Sequence, residues 1–243
     1  MTDLTATARP RMIGRSGLTN QTYEALKEQI LDQTIAPGAR INIDQLAAEL
    51  GVSSSPIREA LARLLSERLA TFEPYIGYSA APINDDAWFH DVMHFRVMLV
   101  GGAALVGAPR RVPETLESLE EAFAAMSASG LGQHYRKYGR FNAADATFHE
   151  TLVASAGNKV FLQVYRDLQP HVHYARLYLS RGVEEEGEVR AEHVAILQGF
   201  RDGDGEAART AVVTHLEAAR SRLLKSAAIA RARIGETPRP KKR

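Results

Sequence analysis

Asp145 and His149 stand four residues apart in the stretch FNAADATFHETLVASAG. On a helix that spacing places both side chains on one face, one turn apart. His193 lies ten residues before Gly203, and His215 lies ten residues after Gly205. If Gly203-Asp204-Gly205 is the tight turn of an antiparallel helix pair, each histidine sits about 15 Å from it. The two are then level on facing helices. One carboxylate and three imidazoles converging at one height in a bundle interior suit a divalent first-row metal, zinc first, with nickel or manganese as alternatives. The plainer reading is four unrelated polar residues on solvated faces, and a chain with eight histidines makes chance pairs common.

The remaining histidines offer less. His90 and His94 are also i, i+4, but no second helix supplies an obvious matching partner. His171 and His173 are i, i+2 and cannot share a helix face. With no cysteine, disulfides and thiolate sites are excluded, and His, Asp and Glu remain as the strong ligands.

Positioning such a set needs a helical frame, and beyond Asn84 the sequence provides one. Long Ala/Leu/Val-rich stretches run to about residue 234. They break near Gly107 to Pro113, Ser129 to Gly132, Gly157-Asn158, Arg181-Gly182 and Gly203-Asp204-Gly205. The pattern predicts about six helices in an antiparallel bundle. Asn158 reads as a helix N-cap. Residues 235–243 (GETPRPKKR) read as a basic disordered tail.

The first third has another texture. Residues 1–18 lack periodicity and read as a flexible arm carrying Arg9, Arg11 and Arg15. Leu26, Ile30 and Leu31 give helical spacing between Thr19 and about residue 34, stopped by Pro37-Gly38. Leu46, Ala47 and Leu50 mark a second short helix, with Asp44 as its expected N-cap and Gly51 as its breaker. Ser53 caps a third, in which Pro56 falls in the first turn and Ile57, Leu61 and Leu64 form the apolar stripe. Two extended runs, Leu69 to Phe72 and Tyr78 to Ile83, flank Pro74-Tyr75-Ile76-Gly77 as a hairpin. Short helix, tight turn, second helix and hairpin make a winged helix-turn-helix, whose second helix enters the major groove of duplex DNA. Ser54, Ser55 and Arg58 stay near its exposed N-terminal end. Arg58 suits a bidentate contact to guanine, and the serines suit phosphate.

Composition sets the limits. A chain of 243 residues, 45% hydrophobic and 24% charged, has the balance of one or two ordinary globular domains. No apolar run approaches the length needed to cross a bilayer: the longest candidate, Val97 to Ala108, is short and interrupted by Gly101, Gly102 and Gly107. No apolar core follows the arginines of residues 1–15, so no secretory signal is expected, and the cytoplasm is the expected compartment. Net charge is +1, yet residues 1–78 carry eight Lys/Arg against nine Asp/Glu. A DNA reader needs positive charge on one face, which a sum does not register.

The segments PGARI, QLAAELGVSSSPIREALARL and PYIGYSA, within Tyr23 to Ile83, resemble the N-terminal domain of GntR-type regulators. The resemblance places DNA contacts on Ser53, Ser54, Ser55, Arg58 and the wing glycine Gly77. Two positions depart from the family pattern: Ser54 stands where an arginine is usual, and Ile76 replaces a basic residue before the wing glycine. Residues from about 88 to 228 resemble the FCD effector domain of the FadR-like branch. The resemblance rests on FRxxL near Phe95, DxxxH at Asp145 to His149, AGN at Ala156 to Asn158, EH at Glu192-His193, and His215. It implies Asp145, His149, His193 and His215 as metal ligands and Arg96 beside a pocket for a small organic acid. Val100 stands where that family usually has a glutamate near this arginine.

The expected protein is mainly α: residues 19–83 a winged helix-turn-helix, residues 84–234 an all-α antiparallel bundle that binds metal and dimerises. The expected function is a ligand-responsive transcriptional regulator, a homodimer binding a palindromic operator and responding to a small carboxylate effector, with no membrane partner. Two alternatives stand beside it. One is a metal-dependent hydrolase or oxygenase in the helical half, against which no well-placed general base is visible, Glu150 and Glu192 being turned away from the histidines they adjoin. The other is a regulator acting through protein contacts with weakened DNA binding.

Overall fold

A computed structural model describes residues 15–129, 134–168 and 186–236. Arg9 and Arg11, His171 and His173, the break at Arg181-Gly182 and residues 237–243 lie outside the described residues.

Helix α1 (Arg15–Leu31) buries Tyr23, Leu26, Ile30 and Leu31. It starts before Thr19, so the last residues assigned to the arm are helical. Ser16 and Gly17, weak helix formers, hid that continuation in the sequence. Helix α2 (Ile43–Leu50) is capped by Asn42, whose Oδ1 accepts hydrogen bonds from the backbone N–H groups of Asp44 and Gln45 at 3.0 and 3.1 Å. This corrects the expectation of Asp44 as cap: Asp44 stands in the first turn, where its charge still suits the helix N-terminus. Gly51, at φ +66°, ends α2 in the left-handed conformation that turns the chain into α3 (Ser54–Ser66). Ser53 holds the extended backbone of an N-cap without a side-chain capping bond. From α3, Ile57, Ala60, Leu61 and Leu64 close the head's core.

The wing is the antiparallel pair β1 (Ala70–Glu73) and β2 (Gly77–Ala80), in register from Ala70–Ala80 to Glu73–Gly77. The second strand stops at Ala80, short of the expected Ile83, because Pro82 has no N–H for a ladder. Arg40 adds a bridge to Ser79, and Ile41 N–H donates to the Tyr78 carbonyl at 2.8 Å.

The second half comprises α4 (Asp86–Gly107), a 3-10 turn at Ala108–Arg110, α5 (Pro113–Ser127), α6 (Tyr135–Ser155), α7 (Lys159–Leu168), α8 (Glu186–Asp202) and α9 (Gly205–Glu236). Asp85 caps α4 and Asn158 caps α7 through their side chains. Helix α4 packs against α6 and α9, α5 against α6, and α8 against α9. Their shared core includes Phe89, Phe148, Leu152, Ile196, Leu197, Val212 and Leu216.

The α8–α9 turn falls at Gly203-Asp204-Gly205, with Gly203 at φ +66° and Asp204 accepting a hydrogen bond from Ala207 N–H at 3.0 Å. Above it the helices touch at Gly199, where a Cβ would lie 2.6 Å from the Ala208 backbone. Val100, at the position of the family's glutamate, is fully buried in the apolar core.

The 25 residues Asp86–Arg110 form a helix long and apolar enough, by length and composition, to cross a membrane, because the helix runs straight through the glycines taken as interruptions. Half of the 18-residue apolar window within that stretch is buried inside the protein, as befits a central helix of a bundle.

Candidate metal centre and DNA-binding face

Helix α6 brings Asp145 and His149 to one face, α8 brings His193, and α9 brings His215. All three imidazoles are buried, at 0, 1 and 4% exposure respectively. One ring nitrogen from each lies within 4.8 Å of the others. His149 Nε2 is 3.1 Å from His215 Nε2. Asp145 Oδ1 is 3.1 Å from His193 Nε2 and 3.8 Å from His149 Nε2. Phe148 walls the cluster, its ring edge-on to His193 at 4.8 Å between centroids.

The outer nitrogens fix which atoms point inward. His193 Nδ1 donates to the Val189 carbonyl at 2.7 Å, one turn back on α8. His215 Nδ1 donates to Glu192 Oε2 at 2.7 Å, and Arg222 grips both Glu192 oxygens at 2.8 and 2.7 Å. With their protons placed outside, the two rings turn lone pairs toward the centre, the tautomer a metal requires. His193 then has acceptors at both nitrogens, the Val189 carbonyl and the Asp145 carboxylate, while a neutral imidazole carries only one N–H. A second ring proton or a cation between Nε2 and Asp145 resolves that conflict. The donor set, three imidazoles with an adjacent carboxylate, fits a first-row divalent ion.

Burial lowers the His215 pKa to about 4, against the opposing pull of its Glu192 hydrogen bond. Burial also pushes Glu192 upward, but its hydrogen bonds and charges from Arg222 and His215 outweigh this and bring it down to about 2. At neutral pH His215 is neutral and Arg222 is the cation holding Glu192 ionised.

Glu192 is the residue that sequence reasoning set aside. It does turn away from its neighbour His193, but toward His215 on the next helix. Arg222, seven residues beyond His215, escaped notice because its role depends on Glu192. The rival pair His90 and His94 is exposed on α4 and stands apart from the three-histidine group. Arg96 is buried at 2% exposure on α4, between the helices that carry the cluster, with Nη1 3.8 Å from Met93 Sδ.

In the head, α3 presents its N-terminal end outward. Ser53, Ser55 and Arg58 are exposed and Ser54 is partly so. Arg58 takes part in no ion pair among the described residues. Ser54 Oγ lies 3.5 Å from the Asp44 carboxylate, and Ser55 Oγ donates to Glu59 at 3.2 Å. At the wing tip Gly77 has φ +97°, and Tyr75, at φ +65°, is fully exposed beside exposed Ile76.

A winged helix-turn-helix joined to a helical bundle is the architecture of a DNA-binding regulator. The gntR family of bacterial regulatory proteins matches residues 18–78, and the FCD domain matches residues 91–218, more than half of the chain. The chain belongs to the GntR family, in the branch that carries an FCD domain. It is 29% identical over 210 residues to an uncharacterized HTH-type transcriptional regulator in an unstable DNA locus of Streptomyces ambofaciens, covering 85% of this chain and 86% of that one. The gluconate operon transcriptional repressor of Bacillus licheniformis is 31% identical over 149 residues, 60% of this chain and 58% of the relative. Among solved structures, Escherichia coli McbR/YncC superimposes with a TM-score of 0.60 at 22% identity, covering 86% of this chain and 97% of that one. The protein is accordingly a transcriptional regulator of GntR/FCD type and not an enzyme.

Proposed function

We propose that this regulator represses transcription as a homodimer on a palindromic operator and senses a small carboxylate through a metal held by Asp145, His149, His193 and His215. Residues 19–83 serve as the DNA-binding head, with α1 reaching back to Arg15. Residues 84–236 serve as the effector and dimerisation unit, the residues before Arg15 as an arm and 237–243 as a basic tail. The cytoplasm is the working compartment. The observation that carries the reading is the convergence of three buried imidazoles, two of which have their outer nitrogens engaged by the Val189 carbonyl and the Glu192 carboxylate so that Nε2 faces inward. Zinc is the proposed ion, with nickel and manganese as alternatives.

When bound, the ion supplies a Lewis-acidic centre with positions open to a carboxylate oxygen. The chain's own residues bind and orient: Asp145 and the imidazoles hold the ion, Glu192 and Arg222 fix His215, and Arg96 offers a buried guanidinium for the acid. In the head, Arg58 reads bases, Ser53, Ser54 and Ser55 contact phosphate, and Gly77 lets the wing backbone approach the groove. The effector regulates by binding the DNA-competent and incompetent states unequally.

Elemental analysis of the purified chain, with isothermal titration of zinc into the stripped protein, tests the metal reading. One ion per chain in the wild type, lost in His149→Ala, is expected; uptake unaffected by that substitution sinks it. The Asp44 carboxylate beside Ser54 favours a second reading, a regulator with weakened DNA binding that acts through protein contacts. Binding to duplex that falls steeply with salt speaks for the first reading, and its absence for the second.

A further inference from the structure

Helix α6 belongs to two cores at once. Tyr138, near its start, is fully buried and sits in the core of the DNA-binding head with Leu26, Ile30 and Leu64. Asp145 and His149, seven and eleven residues further on, belong to the histidine cluster. At 100° per residue, positions 138, 145 and 149 lie on one narrow stripe of the helix, and Tyr138 and Asp145 are about 10 Å apart along the axis. The same helical face that enters the metal site enters the head.

The first turn of α6 is fastened to α1 by polar contacts around Tyr138. Tyr135 N–H donates to Asp32 Oδ1 at 2.7 Å, so a residue of the head terminates a helix of the effector domain. His134 Nδ1 lies 3.5 Å from the other Asp32 oxygen, and Arg136 pairs with Glu28 at 2.7 Å. Tyr135 also packs edge-on to Tyr138. Beside these contacts α1 and α6 part, leaving an open groove of about 480 Å³ lined by Glu24, Glu28, Arg136 and Arg140 among others. The attachment is therefore confined to the end of the helix.

We infer that Tyr138 and Asp32 are positioning residues that couple the DNA-binding head to the histidine cluster, with α6 as the rigid element between them. A helix resists compression, and packed cores shift between discrete arrangements rather than deforming smoothly. A change at Asp145 or His149 that rotates or slides α6 must move Tyr138 within the head's core. This rests on the cluster being the sensing site, but the coupling itself is a property of the helix. The linker between β2 and α4, residues 81–85, offers a competing route, since Arg231 on α9 donates to the Asn84 carbonyl at 3.0 Å and pairs with Asp86.

Hydrogen exchange on the full chain decides between them. Two perturbations are applied at the cluster, saturating zinc and the substitution Asp145→Asn, and exchange is followed at the amides of α1 and α3. In the wild type, a change of about fivefold or more at those amides is expected, the range of ordinary coupling energies. In Tyr138→Ala and, separately, Asp32→Ala, the bundle amides should still respond while α1 and α3 no longer do. Two variants from opposite sides of the contact guard against a folding defect in either. A head that responds equally in both variants assigns the coupling to the linker and overturns the inference, as does a wild-type head indifferent to both perturbations. Failure of the wild type to take up zinc refutes the metal reading alone, and the Asp145→Asn arm then judges the coupling by itself.

Discussion

His149 Nε2 and His215 Nε2 face each other at 3.1 Å, although 66 residues separate them in the chain. The Glu192 hydrogen bond puts the His215 proton on Nδ1, so its Nε2 turns a lone pair toward His149. Two lone pairs at this distance repel unless a proton or a cation lies between them. The Nε2 proton of His149 can fill that gap in the metal-free protein, a bound cation can take its place, and the consequences can be measured.

Removing metal should destabilise the protein. An ion at one hundred times its Kd adds about 2.7 kcal/mol to folding stability, which for a chain of this size corresponds to a Tm drop of about 5–10 °C on chelation. Calorimetry with and without EDTA provides the check. His193→Ala and His215→Ala should each abolish the difference.

Glu192→Gln should weaken metal affinity about 10–100-fold while leaving all four proposed ligands in place. The amide still reaches His215 but loses the charge that the imidazole and Arg222 share. Competition against a chromophoric chelator measures it; an affinity equal to wild type would remove Glu192 from the site.

Acid should loosen the metal-free protein in two steps. His215 stays neutral down to about 4 in the folded state, whereas in the unfolded chain it protonates near 6.5. Glu192 stays ionised down to about 2 folded, against 4.5 unfolded. In both windows the unfolded chain binds more protons, so stability falls as pH drops from about 6.5 toward 4, and again from about 4.5 toward 2. Denaturant titrations across this range in EDTA should show both slopes, with Glu192→Gln removing its share of the lower one.

Arg58→Ala should cost about 1–3 kcal/mol of specific DNA binding, roughly 10–100-fold, measured on duplexes selected from a random pool by the wild-type chain. Ser54→Arg should act in the opposite direction, restoring positive charge beside Asp44 and steepening the salt dependence. Retention of the selected duplex by Arg58→Ala at moderate salt would contradict the assignment.

Gly199→Ala should destabilise the bundle by about 1–3 kcal/mol, because its methyl group would press into the Ala208 backbone and no flexible side chain can yield. The wedge sits between His193 and the α8–α9 turn, so metal affinity should fall together with stability. Denaturant unfolding and zinc titration of the same variant test both effects.

Periodicity and punctuation are local properties, and what depends on them could be read along the chain. Asp145 and His149 share a face because a helix repeats every 3.6 residues, and His193 and His215 are level because each stands ten residues from the same glycine-flanked turn. The helix-turn-helix, its breaker Gly51 and the cap at Asn158 belong to the same class. Small offsets, such as Asn42 rather than Asp44 as the cap of α2, arise because neighbouring residues compete for one role with similar local energies. What the sequence did not determine is which surfaces of distant helices meet. Glu192 turns from its neighbour His193 and reaches His215 on α9, and Tyr138 of the second domain completes the core of the first. Those contacts depend on the rotation and depth at which whole helices pack, which is settled by burying apolar area across the entire molecule rather than by any residue's neighbours in the chain.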